Sequence, residues 1–174
     1  MLDQLRTLTT KPLGVNFIVA PQLLKRLDLR CVEIAARAAR VVEFFYGTPD
    51  HRLVDMAHEG DALVSWQIGS PEEAEVAATA GCDFVVAQGV EAGGHLRGTI
   101  GMMALLDEVT RAVDMPVLAA GGIGVGQAVA AAIAAGAAGA RVGTRSLAAT
   151  EARMHPEYVP AKCQRVGRHV RAFD

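Results

Sequence analysis

Short apolar runs that stop at glycine or a polar residue, each followed by a stretch with helical spacing, recur six times along this chain of 174 residues. The runs cover 13–20, 41–46, 62–68, 84–88, 116–120 and 140–142. The intervening stretches read as helices over 22–39, 50–59, 70–80, 102–113 and 127–135, and a last helix starts near Ser146 and fades before Pro156. Local signals agree with this division. Asp50 is a candidate N-cap, and Ser70, Pro71 and Glu73 stand where a capping box places its N-cap, N1 and N3 residues. Alternation at this spacing implies right-handed crossovers and one parallel sheet. Apolar strands without clean alternation suit a sheet covered on both faces. In such folds the site lies beyond the C-terminal ends of the strands, where the glycines and polar residues of this chain collect. Two architectures meet these conditions. An open doubly wound sheet fits the length, whereas a (β/α)8 barrel typically needs ~250 residues, so six units fall two short.

Composition narrows the class of function. Apolar residues make up 51% and charged residues 21%, which is ordinary for a soluble domain with a real core. A net charge of −2, with no basic cluster among the few aromatics, gives no electrostatic case for nucleic acid or an anionic membrane. No apolar run approaches the ~20 residues that span a bilayer. The stretch Met1-Leu2-Asp3-Gln4-Leu5-Arg6 lacks the basic-then-apolar order of a secretory leader. Cys31, Cys82 and Cys163 are odd in number and widely spaced, so buried inert thiols in a reducing cytoplasm are expected. No His, Cys or Asp cluster has metal-ligand spacing, so no metal is expected. Residues 156–174 form a mixed basic tail after a barrel-like region over 1–155.

The stretch from Phe84 to Gly98 concentrates the chemistry. A buried strand ends at Gln88 and opens into a loop with glycines at 89, 93, 94 and 98 and one histidine, His95. Glycine permits turns closed to other residues and lets a ligand approach the main chain. Histidine is the side chain that titrates near neutral pH, which suits a general base. Gln88 at a buried strand end needs a hydrogen-bond partner, as does Asn16 within the first strand. Glu91 either holds the loop through backbone N–H groups or faces water, and Arg97 reads as solvated. Gly121-Gly122-Ile123-Gly124 follows one strand and precedes a helix, a junction that favours phosphate, and Gly143-Thr144 repeats it after the next strand. Two successive strand ends of this kind match the phosphate site of a barrel. Arg145 could pair with phosphate or make a surface ion pair. A dinucleotide fingerprint fails, because Gln127 stands where its last glycine is required.

Together these residues resemble the nitronate monooxygenase family, formerly called 2-nitropropane dioxygenases. The matching stretches are Gly14-Val15-Asn16, Ala87-Gln88-Gly89 with Glu91-Ala92-Gly93-Gly94-His95, Ala119-Ala120-Gly121-Gly122-Ile123, and Gly143-Thr144-Arg145 with Ala149-Thr150-Glu151. The resemblance implies an FMN-binding (β/α)8 TIM-type barrel, incomplete here, whose six units correspond to barrel strands three to eight. It implies that Gly121, Gly122, Gly143 and Thr144 bind the FMN phosphate. Asn16 and Gln88 would contact the flavin, with the backbone of Gly93 and Gly94 close to it. His95 would remove the proton α to the nitro group of a nitroalkane. The expected reaction consumes a nitronate or nitroalkane and O2 and yields a carbonyl compound and nitrite. A sister group, the flavin-dependent enoyl-acyl-carrier-protein reductases, shares the Glu91-to-His95 motif but tends to carry glutamate at the position of Gln88. A truncated, non-catalytic member is the third expectation. An open six-unit barrel exposes edge strands and apolar faces, and a homo-oligomer is among the arrangements that would cover them.

Overall fold

The computed structural model describes residues 2–149 and 152. Its centre is a six-stranded, all-parallel sheet in which every strand pairs with the next in sequence. A helix α1 (Leu2–Leu8) precedes β1 (Gly14–Ile18). Then come α2 (Pro21–Leu24), α3 (Leu29–Ala38), β2 (Val41–Phe45), α4 (His51–His58) and β3 (Leu63–Ile68). The order continues with α5 (Pro71–Thr79), β4 (Phe84–Gln88), α6 (Met102–Ala112), β5 (Val117–Ala120), α7 (Gly126–Ala134), β6 (Gly139–Arg141) and a 3-10 turn at Thr144–Ala148. This is the expected incomplete (β/α)8 barrel. The doubly wound alternative is excluded by the strand order, which never reverses.

The sheet curls. Arg141 on β6 reaches Glu43 on β2 and Gln67 on β3, although β6 pairs only with β5. That contact is possible only if the strands wrap around a lumen. The curl separates two faces. Outward residues such as Phe44, Trp66, Val85 and Ala119 join Val32, Leu53 and Leu105 of the helices in one apolar core. Phe44 and Trp66 pack with ring centroids 5.0 Å apart, and the Trp66 indole N–H donates to the Gly47 carbonyl at 3.1 Å. Inward positions carry Asn16, Glu43, Ser65, Gln67, Gln88 and Arg141. Register places Asn16 beside Glu43 and Glu43 beside Ser65, and further round it places Gln88 beside Ala120 and Ala120 beside Arg141. The strands therefore do alternate, contrary to expectation, and all but β5 carry one or two polar residues on the lumen side.

Most boundaries fall within two residues of those expected, with two departures. The helix expected over 22–39 is two, because the Asp28 carboxylate accepts the Arg30 backbone N–H at 3.1 Å and starts a new helix after the turn at 25–28. Helix α1 carries no buried residue, so it has no apolar stripe to betray it, and it docks through Arg6 Nη2 onto the Ala38 carbonyl at 2.7 Å. The tail at 156–174 and Cys163 lie outside the described residues. Among those described, no helix is long and apolar enough to cross a membrane.

Candidate active site

A cavity of about 260 Å³ opens at the C-terminal ends of the strands. Asn16, Gln88, Gly93, His95, Gly121, Gly122, Gly143 and Thr144 all line it, so the structure brings residues of β1 and of the segments following β4, β5 and β6 to one cavity. Gly94 does not form part of its wall. It instead takes φ +83°, and the left-handed turn there swings His95 back over the cavity edge.

The loop after β4 is pinned beneath its histidine. Gln88 is buried, and its amide donates to the His95 carbonyl at 2.8 Å while its side-chain oxygen accepts the Arg97 N–H at 3.0 Å. Arg97 is not solvated as expected. It pairs with Glu73 at 2.6 Å and donates to the Tyr46 carbonyl at 3.0 Å. Glu73 accepts the Gly69 N–H at 2.9 Å with its other oxygen, and Ser70 caps α5 at the Glu73 N–H. Glu91 resolves in favour of a backbone role: it accepts the Met102 N–H at 2.9 Å and so holds the start of α6. The loop also needs bare backbone where it crosses β3. A Cβ on Gly98 would lie 2.3 Å from the Gly69 carbonyl oxygen, and one on Gly69 would lie 2.5 Å from the Gly98 nitrogen.

Tyr46 was invisible to motif reasoning. It follows β2, has φ +76°, donates its hydroxyl to the Leu96 carbonyl at 2.9 Å, and presents its ring edge-on to His95 at 5.7 Å. A non-glycine residue in the left-handed region is uncommon and costs free energy, and such strain gathers at sites that use it.

The opposite wall suits a phosphate. Gly121 and Gly122 take φ +122° and +66°. Among the described residues, the N–H groups of Gly122, Ile123 and Gly124 donate to no acceptor of the chain. Successive free N–H groups in a turn, with the Thr144 hydroxyl across from them, form an anion cradle. Gly93 abuts the same wall: a Cβ there would fall 2.1 Å from Thr144 Oγ1.

Behind Asn16, Gln67 and Arg141 of the cavity wall lies a polar cluster centred on Glu43, which no motif in the sequence marks. Glu43 is only 8% exposed. It pairs with Arg141, accepts Asn16 Nδ2 at 2.8 Å, and receives the Ser65 hydroxyl at 3.4 Å. Arg141 Nη1 also donates to Gln67 Oε1 at 2.8 Å. Burial pushes the Glu43 carboxyl above the usual carboxylate range, and Arg141, Asn16 and Ser65 pull it back only in part. Asn16 thus has the protein partner that a buried-strand amide requires, and it still lines the cavity.

The family model described as nitronate monooxygenase matches residues 3–165. Over 151 residues the chain is 38% identical to the (3aS,4S,5R,7aS)-5-hydroxy-7a-methyl-1-oxo-octahydro-1H-indene-4-carboxyl-CoA dehydrogenase of Rhodococcus jostii, covering 86% of this chain and 41% of that protein. FabK from Thermotoga maritima superposes with a TM-score of 0.81 at 36% identity, over 91% of this chain and 50% of that one. A nitroalkane oxidase from Streptomyces ansochromogenes superposes with a TM-score of 0.79 at 33% identity, over 92% of this chain and 57% of that one. The chain spans less than half the length of the curated relatives it matches.

Proposed function

This chain belongs to the nitronate monooxygenase family, and from that premise we propose that it binds FMN and oxidises alkyl nitronates and nitroalkanes with O2. The observation that carries the reading is convergence: His95 and the two glycine phosphate loops line one cavity at the C-terminal mouth of the barrel. The residues fit the cofactor. Free N–H groups at Gly122, Ile123 and Gly124, with Thr144 opposite, would hold the phosphate. Asn16 and Gln88 border the space for the ring, Gln88 chiefly by fixing the loop above it.

FMN, when bound, supplies the electron-accepting and oxygen-dependent chemistry. The protein's own contribution is a base and its placement. His95 would take the proton from the carbon α to the nitro group, leaving the nitronate as the species that is oxidised to carbonyl compound and nitrite. Gln88 and Tyr46 hold the backbone at His95 and the two residues after it, and the Arg97 side chain ties that stretch to Tyr46, so the imidazole is presented from a braced segment rather than a free loop.

The test is an absorbance spectrum of the purified chain with added FMN, followed by nitrite release from a nitroalkane and from its preformed nitronate. His95→Ala should retain FMN and turn over the nitronate, yet lose most turnover of the neutral nitroalkane. Equal nitroalkane turnover in variant and wild type would remove His95 from the role. A second reading, redox chemistry on an acyl thioester, is favoured by the likeness to a carboxyl-CoA dehydrogenase. Rapid flavin reduction by NADH or NADPH, with no nitrite formed, would select it.

A further inference from the structure

The lumen of a (β/α)8 barrel is ordinarily filled with layers of branched apolar side chains. Here five polar side chains from four strands meet in it: Asn16, Glu43, Ser65, Gln67 and Arg141. A buried ion pair is seldom a gain in stability over apolar residues of the same size, so its presence calls for another explanation.

Arg141 is asymmetric in its engagement. Nη1 carries the bonds to Glu43 and Gln67, while the side chain as a whole is 39% exposed and lines the cavity. Its remaining N–H groups donate to nothing described in the chain. The guanidinium is drawn across the lumen to β2 and β3, away from the glycine cradle that follows β5 and β6. It is therefore placed for the ring end of a ligand and not for a phosphate. Glu43 lies behind it, outside the cavity wall, and dampens its charge.

We infer that Arg141 is the cation facing the N1–C2=O edge of the flavin, and that Glu43 sets how much of its charge the flavin meets. This rests on the proposed FMN site. Reduction places negative charge on that edge, so a nearby cation favours the reduced form, and a carboxylate behind the cation opposes it. Asn16 Oδ1 and Gln67 Nε2, one acceptor and one donor left over by the cluster, add partners of the kind an imide edge requires.

The two partners should move the flavin in opposite directions, which a purely structural pair would not do. The FMN-loaded full chain is titrated against a reference dye at pH 8. Arg141→Met should lower the preference for reduced over oxidised flavin about tenfold, a shift of ~30 mV to more negative potential for a two-electron couple. Glu43→Gln, nearly isosteric, should shift the potential to more positive values and decides the matter if Arg141→Met does not fold. Shifts of the same sign, or an unchanged potential in Glu43→Gln, overturn the inference while leaving the proposed function standing. An unchanged potential with weakened nitronate binding would make Arg141 a substrate anchor and overturn it as well. A wild-type chain that takes up no FMN overturns this inference and the proposed function together.

Discussion

The two faces of one sheet differ more than any two segments of the chain. The outward face is aromatic and aliphatic and packs against the helices, while the lumen face carries Asn16, Glu43, Ser65, Gln67, Gln88 and Arg141. Because side chains alternate along a strand, the same short strands serve both faces: Phe44 and Trp66 look outward while their neighbours Glu43, Phe45, Ser65 and Gln67 look inward. The outward face accounts for the fold and the inward face for the site. Substitutions on the two faces should then separate stability from ligand chemistry.

The largest effect belongs outside. Trp66→Ala removes a fully buried indole, its packing on Phe44 and its bond to Gly47. A loss of about 3–5 kcal/mol is expected in urea denaturation. A loss under about 1 kcal/mol would mean that the outer layer is not the source of stability.

Next comes Gln88→Ala on the inward side. It deletes both side-chain bonds that tie β4 to the loop at His95 and Arg97. The expected result is a local loosening of about 1–3 kcal/mol, seen as faster amide exchange over 93–98, with a smaller drop in global stability. If exchange quickened uniformly over the outer helices instead, the separation of the faces would fail.

These two positions also show how far the sequence could be read. The repeating units, the glycine cradle and His95 were legible because each is a local signal: an apolar run that stops, a turn that needs glycine, a ring in a loop. The inward row was not. Glu43 sits in Val41-Val42-Glu43-Phe44-Phe45, one carboxylate among apolar residues, and its cation is 98 positions away. Only the curl of the sheet brings them together. Tyr46 was hidden for a related reason, since a left-handed backbone and an edge-on ring have no signature in residue type. The expected solvation of Arg97 failed because Glu73 had been fully explained as part of a helix cap, when one of its oxygens was in fact available to the loop after the next strand.

Glu43→Gln sharpens the comparison through pH. The folded carboxyl titrates above its ordinary value because burial penalises the charged form. The folded state then holds its proton more tightly than the unfolded one, so the wild type gains most from this group below the unfolded pKa. That gain is lost as pH rises from the unfolded value to the raised folded one, and is flat beyond. The glutamine variant has no such dependence. Measured by urea denaturation, the wild type should lose stability relative to Glu43→Gln as pH climbs through that window. The reverse trend would show Arg141 to outweigh burial.

The smallest effect tests how dry the outer layer is. Cys82 lies in the apolar core and burial pushes its thiol up to about 12, whereas Cys31 is exposed on α3, contrary to the expectation that both are buried. The thiolate is the reactive form. At pH 8 a thiol with that pKa presents roughly three orders of magnitude less thiolate than the same residue in an unfolded chain, whose pKa is about 8.5. Iodoacetamide labelling followed by peptide mapping should modify Cys31 in the native protein and leave Cys82 untouched until urea is added. No bulk property need change for this to be seen. If Cys82 labelled at a comparable rate in the native state, water would be reaching the layer beneath α5, and the outward face would be no drier than the lumen it is contrasted with.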